Sequence, residues 1–144
     1  MEAFVSKTIG RTFVVKLVQG DDILGGIEEL IRREHIENAV LVNGIATVDR
    51  CRLHMISTTG YPIQVDIVEK TDVPLELVDI SGFICDGQAH IHCTVSDRQQ
   101  AYAGHMLSGC RTLYLGEIVI QELLGMQIHR HPNEHGAMHI YAKE

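Results

Sequence analysis

The chain has 144 residues, of which 45% are hydrophobic and 22% charged, and this size and composition predict one soluble globular domain. Its 12 basic and 19 acidic residues give a net charge of −7, which disfavours nucleic-acid binding through phosphate contacts. No apolar run approaches the ~20 residues that cross a bilayer, and the N-terminus lacks a signal peptide. We therefore expect a cytoplasmic protein without membrane contact, whose four cysteines are reduced because they form no C-x-x-C pair.

The first part of the chain predicts a strand followed by the principal helix. Residues 12–18 are rich in β-branched types and lie between Gly10 and Gly20, which is typical of a strand. Helical N-cap chemistry follows at Asp21 and Asp22, and apolar residues then recur at helical spacing as far as residue 33. The Gly-Gly pair at 25–26 within this helix predicts close packing onto a sheet.

The rest of the chain predicts mainly strands. Two of them, at 39–44 and 49–56, are joined by a tight connection at 44–47. Turn chemistry at 58–62 and 71–74 flanks a short strand at 64–69. Four further strands are predicted at 75–84, 89–95, 102–107 and 112–124. The fold class that follows is α+β, with a mainly antiparallel β-sheet packed against one principal helix in a single domain.

Histidines on one face of a predicted strand are the strongest chemical signal. Residues 89–95 alternate completely, so that Ile91 and Cys93 point to one face and His90 and His92 to the other. A hairpin centred between residues 98 and 99 places His92 opposite His105. Opposed Cβ atoms lie about 5 Å apart, so His90, His92 and His105 can converge on one divalent metal ion. A bulge at Gly104 would break this register, whereas close backbone approach there would keep it.

Imidazole nitrogens suit zinc, copper, nickel or iron, and three protein ligands leave the open position typical of catalytic zinc. The alternative is that these histidines line a polar sheet face or a subunit contact without metal, because the H-x-H pattern often occurs by chance. Asp86, Glu117 and Glu122 are candidates for supporting or acid–base groups, although each is also typical of a solvated or ion-paired carboxylate.

The other histidine positions are less informative. His54 and His35 are interpreted as structural, although His54 would reach the site from a neighbouring strand if the pairing allowed it. The tail carries His129, His131, His135 and His139, which could bind metal adventitiously. Pro132 and Gly136 interrupt that segment, so we predict an exposed C-terminal extension. Motifs for nucleotide binding, serine hydrolases and zinc proteases are absent, which leaves no assigned catalytic residue and no organic cofactor.

A series of motifs recurs in an order typical of one family. They are Gly-Arg-Thr-Phe-Val-Val-Lys-Leu (10–17), Gly-Asp-Asp-Ile-Leu (20–24), Asn-Ala-Val (38–40), Asn-Gly-Ile (43–45), Leu-Glu-Leu (75–77), Ile-Ser-Gly (80–82), His-Ile-His (90–92) and Gly-His (104–105). On these motifs the chain resembles the plants-and-prokaryotes conserved (PPC) domain. The resemblance predicts a lead-in at 1–9, a PPC-like domain at 10–124 and a His-rich tail at 125–144.

The resemblance implies an α+β fold that assembles as a homotrimer and, in prokaryotic members, a metal ion held at His90, His92 and His105. We expect zinc first, because the family pattern and the hairpin register select the same residues. The family is also described as DNA-binding, since plant members attach the domain to AT-hooks. This chain has no AT-hook, and its negative charge disfavours duplex binding by the isolated domain.

Three hypotheses remain open at the level of sequence. The first is a trimeric, metal-binding module with a binding or regulatory role, which family analogy would describe as a DNA-binding protein. The second is a zinc-dependent enzyme whose bound water, lowered in pKa, attacks a small polar substrate. The third is a structural trimer in which the histidines only pack.

Overall fold

The computed structural model describes residues 1–143 and contains one helix and eight strands in that range. Their bounds are β1 (Thr8–Val18), α1 (Ile23–Glu34), β2 (Ala39–Ile56), β3 (Val65–Cys85), β4 (Gln88–Ser96), β5 (Ala101–Met106), β6 (Arg111–Leu124), β7 (Ile128–Pro132) and β8 (Met138–Ala142). The predicted α+β class, with its mainly antiparallel sheet and principal helix, is confirmed.

Six strands form one antiparallel sheet in the order β1-β6-β2-β3-β4-β5. The last part of β2 also pairs with β5, where Leu53 lies opposite Met106 and His54 opposite His105. Because β2, β3, β4 and β5 each pair with the next, these four strands close into a ring. The ring brings β2 to the strand pair that carries the predicted metal ligands.

The helix covers one face of this sheet. Asp22 is its N-cap, and the Asp22 carboxylate accepts a hydrogen bond from the Gly25 backbone N–H, as the sequence predicts. Its buried side chains are Ile23, Ile27, Leu30 and Ile31. A Cβ at Gly26 would lie 3.1 Å from a methyl carbon of Leu17 on β1, so the glycine permits close packing of helix on sheet.

The prediction of two separate strands at 39–44 and 49–56 is wrong, because β2 runs without interruption through both. Gly44 does not form a turn. A Cβ at Gly44 would lie 2.6 Å from the Cγ2 atom of Ile80 on β3, so the residue is glycine because the strand packs tightly there. Sequence patterning could not distinguish a glycine required by packing from a glycine required by a turn.

The predicted strands at 64–69 and 75–84 are likewise one strand, β3. The segment at 71–74, predicted as a turn, is an irregularity within β3. The register shifts there, with Val48 opposite Leu75 and Arg50 opposite Thr71, and Asp72 has a positive φ of 58°. A bulge of this kind uses the same residue types as a turn, because both need a residue outside the extended conformation.

The prediction of an exposed C-terminal extension at 125–144 is also wrong for the part that the structure describes. β7 and β8 form a hairpin, and its inner face is buried: Ile128 is 1% exposed and Arg130 is 8% exposed. Ile128 packs with Cys85 and Met126 in a small second core, which Phe4 and Ile140 border. Pro132 ends β7, and Gly136, with a positive φ of 82°, lies in the turn that leads to β8, so both residues belong to a folded hairpin.

The four cysteines are free thiols, and all four are buried. Helix α1 has 12 residues, and in residues 1–143 no helix is long and apolar enough to cross a membrane.

Candidate metal centre

Strand β4 presents its histidines on the face predicted from the sequence. Ile91, Cys93 and Val95 are buried in the core, whereas His90 is half-buried and His92 exposed on the opposite face. The alternation arises because successive side chains of a strand point to opposite sides of the sheet. The apolar residues of β4 therefore fix the orientation of the two imidazoles.

Strand β5 pairs with β4 in the predicted register, with His92 opposite His105 and Thr94 opposite Ala103. The connecting turn is held by Asp97, whose carboxylate accepts hydrogen bonds from the backbone N–H groups of Gln99 and Gln100 at 2.7 and 2.9 Å. Gly104 is a site of close approach and the β4–β5 register is unbroken. A Cβ there would lie 2.6 Å from the backbone oxygen of His54.

His90, His92 and His105 converge, and one ring nitrogen from each lies within 4.8 Å of the others. The Nε2 atoms of His90 and His92 are 3.3 Å apart. Two nitrogens bound at about 2.0–2.1 Å to one tetrahedral zinc ion lie about 3.3 Å apart, so this pair has the separation of two ligands. The donor set therefore fits a divalent transition metal, for which three imidazoles leave at least one open position.

The three imidazoles are held in their neutral form. Burial lowers the pKa of His90 and of His92, with smaller effects from neighbouring charged or chargeable groups. Burial, followed by the neighbouring histidines and Arg130, lowers the pKa of His105 to about 4. At neutral pH each ring then keeps a lone pair for a metal, because protons do not compete for it.

A cavity of about 430 Å³ lies over the three histidines. Met55, Ile56 and Ala103 contribute apolar walls. His54 also lines it and stacks in parallel on His105, with ring centroids 4.4 Å apart and 12° between the ring planes. Its nitrogens are not among the three that converge, so His54 contacts a candidate ligand without being one of the three. The sequence interpreted His54 as structural, and the structure adds that its ring stacks on His105.

The carboxylates considered as supporting groups lie elsewhere. Asp86 accepts a hydrogen bond from Lys143 at 2.7 Å, and Glu122 forms a two-point ion pair with Arg11. Glu117 is exposed on β6, between Lys16 of β1 and Ile45 of β2. None of the three lines the cavity over the histidines. All three are therefore solvated or ion-paired carboxylates, which is the alternative that the sequence also allowed.

The tail histidines lie apart from the converging cluster. His131 of β7 pairs with His139 of β8 and stacks on Tyr141, with ring centroids 4.0 Å apart. His135 stacks on Tyr61 of the β2–β3 connection. In the described residues they form no group of three converging ligand atoms.

Arg130 is the residue near the site that sequence reasoning missed. It donates a hydrogen bond to the backbone oxygen of Gln88 at 3.4 Å, two residues before His90. Its charge lowers the pKa of both His90 and His105. The sequence held a signal for its burial, because alternation along residues 128–132 places Arg130 on the same face as the apolar Ile128.

The profile of the Plants and Prokaryotes Conserved (PCC) domain, which is the PPC domain under its other abbreviation, matches residues 4–124. The chain belongs to this family. The resemblance stated from the motifs is thereby confirmed, and the matched region ends where β6 ends. Two curated relatives, both named bifunctional protein GlmU and from Synechococcus strains, are 25% and 23% identical over 124 residues, or 85% of this chain. The chain spans about a fifth of the length of these relatives (18% and 19%).

Solved structures of PCC-domain size share this fold. A metal-containing protein from Archaeoglobus fulgidus is 21% identical with a TM-score of 0.81, covering 99% of this chain and 100% of its own. A plant- and prokaryote-conserved protein from Pyrococcus horikoshii is 23% identical with a TM-score of 0.76, covering 100% and 96%. A protein from Bacteroides thetaiotaomicron named "putative dna binding protein" is 21% identical with a TM-score of 0.76, covering 96% and 97%.

Proposed function

We propose that this PCC-domain protein binds one divalent transition metal ion per subunit, zinc first, through His90, His92 and His105. The observation that carries the proposal is the convergence of three neutral imidazoles from β4 and β5 within 4.8 Å. Their donor set matches zinc chemistry, and the structurally similar Archaeoglobus protein is described as metal-containing. The role we propose is that of a homotrimeric, metal-dependent binding or regulatory module in the cytoplasm, where free thiols such as these four persist.

A DNA-binding role is the description attached to the similar Bacteroides protein. In this chain the net charge of −7 opposes it. Five of the 12 basic side chains also form ion pairs with carboxylates: Arg11, Arg33, Arg52, Arg111 and Lys143. We therefore place metal binding before DNA binding.

An enzymatic role is favoured by one observation, the cavity of about 430 Å³ that lies over the ligands. When bound by three protein ligands, zinc supplies Lewis-acid chemistry at its open position. Proton transfer would fall to His54, which borders the cavity beside His105. The residues that line the cavity carry no carboxylate, so His54 is the general base that this candidate requires.

Metal content after exhaustive dialysis tests the proposal. Elemental analysis should give about one zinc or other transition-metal ion per subunit for the wild type, because three imidazoles and a free position bind such ions tightly. The variant His90→Ala/His92→Ala/His105→Ala should carry almost none. The matched control His129→Ala/His131→Ala/His139→Ala removes the same number of imidazoles from the tail and should keep its metal. Equal content in the wild type and the first variant would contradict the proposal.

A further inference from the structure

The outer face of the β7–β8 hairpin carries a second group of histidines. Alternation along the two strands turns Ile128 and Ile140 towards the small second core and the intervening side chains outwards. Four of the outward side chains are rings: His129 and His131 of β7, and His139 and Tyr141 of β8. None of these four is buried, so their ring atoms are accessible to a ligand.

The arrangement of this group repeats that of the first cluster. His129 and His131 are separated by one residue, and His139 lies directly opposite His131 on the neighbouring strand. The first cluster has the same pattern, with two histidines of β4 separated by one residue and the β5 histidine opposite the second. The ring centroids of His129 and His131 are 4.9 Å apart, compared with 5.2 Å for the two histidines of β4. Because opposed Cβ atoms lie about 5 Å apart, the backbone brings three imidazoles within reach of one ion.

The central histidine of the group, His131, is oriented as a metal ligand by its own backbone. Its Nδ1 atom is 3.0 Å from the Pro132 backbone oxygen. A carbonyl oxygen only accepts hydrogen bonds, so Nδ1 carries the proton and the lone pair of the neutral ring is on Nε2. Histidine ligands commonly donate their second ring N–H to a backbone carbonyl in this way. The ring also lies flat on Tyr141, with 7° between the two planes, so that Nε2 is held in place as a donor.

The group differs from the first cluster in how far its ligands are already assembled. Its ring nitrogens are not all within 4.8 Å of one another. A metal ion must therefore order the exposed side chain of His139, and the loss of its rotational freedom weakens binding relative to a site whose ligands are already oriented. A metal ion bound on this open face exchanges with solvent and is removed by exhaustive dialysis.

We propose that the outer face of the β7–β8 hairpin is a second, exchangeable site for one divalent transition metal ion, with His129, His131 and His139 as its ligands. Imidazole nitrogens favour zinc, copper or nickel, whereas calcium and magnesium prefer oxygen ligands. The site is separate from the proposed function, and it lies outside the family-matched residues 4–124. Its occupancy would follow the concentration of free metal, while a tighter first site stays filled.

Zinc uptake at equilibrium tests this proposal. The chain is dialysed exhaustively and its zinc content measured; it is then equilibrated with micromolar Zn²⁺ and measured again. We expect about one additional zinc ion per subunit, taken up saturably and without competition from excess Mg²⁺. Only zinc beyond the dialysed content is counted, so the hairpin site is measured whether or not the first site holds metal.

The variants assign the additional zinc to its ligands. His131→Ala should weaken the uptake by at least about 10-fold, because loss of a group that merely supports a ligand already costs that much. His139→Ala should weaken it as well, since it removes the ligand from the opposite strand. The matched control His135→Ala removes an imidazole from the turn of the same hairpin and should take up zinc as the wild type does. Each variant should keep the wild-type circular dichroism, because these side chains lie outside the core.

Four results would overturn the proposal. They are no additional uptake by the wild type, wild-type uptake by His131→Ala, wild-type uptake by His139→Ala, and equal weakening in His131→Ala and His135→Ala. None of them bears on the first site, whose failure would appear as an absence of zinc after exhaustive dialysis.

Discussion

His105 is held by two constraints at the level of the single residue. The absence of a side chain at Gly104 lets β5 lie against the backbone of His54, and the His54 ring then stacks on the imidazole of His105. Burial and the nearby His54, His90, His92 and Arg130 together lower the pKa of His105 to about 4. The result is an oriented, unprotonated imidazole at the proposed metal site, and its orientation is set by residues outside the group of three candidate ligands.

A pH dependence of stability follows for the metal-free protein. Above pH 6.5, the ordinary pKa, His105 is neutral in both the folded and the unfolded chain; between 6.5 and about 4 only the unfolded chain takes up the proton. The free energy of unfolding should therefore fall as the pH drops through this range, by about 1–3 kcal/mol for one such group. His90 and His92 contribute in the same direction, since their pKa values are also lowered.

Urea denaturation in the presence of a chelator, repeated at several pH values, measures this effect. The variant His105→Gln should show a shallower decline between pH 6.5 and about 4, because it lacks the most strongly shifted imidazole. A wild-type stability that is flat or that rises with acidification would show that burial does not suppress protonation here.

At the level of elements, the β7–β8 hairpin is the segment whose importance the sequence underestimated. Arg130 of this hairpin donates a hydrogen bond to the Gln88 carbonyl oxygen at the start of β4, and Ile128 packs against Cys85 at the end of β3. The hairpin also meets the β2–β3 connection, where Tyr61 stacks on His135 with ring centroids 4.1 Å apart. These contacts make the hairpin a part of the folded domain.

Truncation of Ile128 tests the attachment of the hairpin. Ile128→Ala should lower the free energy of unfolding by about 2–5 kcal/mol, since it removes a fully buried side chain and leaves a cavity. The neighbouring His129→Ala, on the outer face of β7, should change it by less than about 0.5 kcal/mol. Chemical denaturation measures both. Equal stability of wild type and Ile128→Ala would mean that the hairpin does not contribute to the core.

At the level of the whole molecule, part of one face of the central sheet is left uncovered by residues 1–143. The helix packs against the side of β1 that carries Leu17. Because side chains alternate along a strand, Val14 and the other even-numbered residues near it point to the opposite side. On that outer face Val14 pairs with Val119, and apolar side chains are strongly exposed. Their exposed fractions are 74% for Val14, 55% for Val42, 54% for Ile45 and 54% for Val78. A surface of this kind is typical of a protein–protein contact.

The homotrimer remains a prediction, and this face supports it. Light scattering at micromolar concentration should give about 48 kDa, three times the 16.1 kDa chain. Ile45→Glu should shift the mass towards the monomer, because it places a charge in the apolar face. Thr59→Glu, in the exposed β2–β3 connection, adds the same charge and should leave the mass unchanged. A wild-type mass near 16 kDa would contradict the prediction.

The surface charge of the whole molecule leads to a prediction about DNA. We expect no sub-micromolar affinity for duplex DNA at about 150 mM salt, because the longest basic run in the sequence is Arg32-Arg33 and five basic side chains are paired with carboxylates. Trimer formation would triple the negative net charge of −7. Fluorescence anisotropy with A·T-rich and G·C-rich duplexes over a salt series is the measurement. Tight binding that persists near physiological salt would contradict the prediction and would mean that the protein has a basic surface able to bind DNA.

Local patterns in the sequence were sufficient for α1, for the two faces of β4 and for the β4–β5 register. Each depends on residues that are close in the chain: the helical spacing of apolar residues, the alternation of strand side chains, and a turn capped by Asp97. For this reason the sequence alone selects the three candidate ligands. Their placement on one face follows from the same short-range geometry.

Tertiary structure alone decided the features that depend on contacts between distant segments. Gly44 packs against Ile80, and Gly104 against His54, so these glycines serve close packing where the sequence was equally compatible with a turn or a bulge. The pairing of β2 with β5 put His54 on the site, and the fold of the tail put Arg130 beside Gln88. Such contacts depend on how the whole sheet closes and which surfaces it buries, and short-range periodicity carries no information about either.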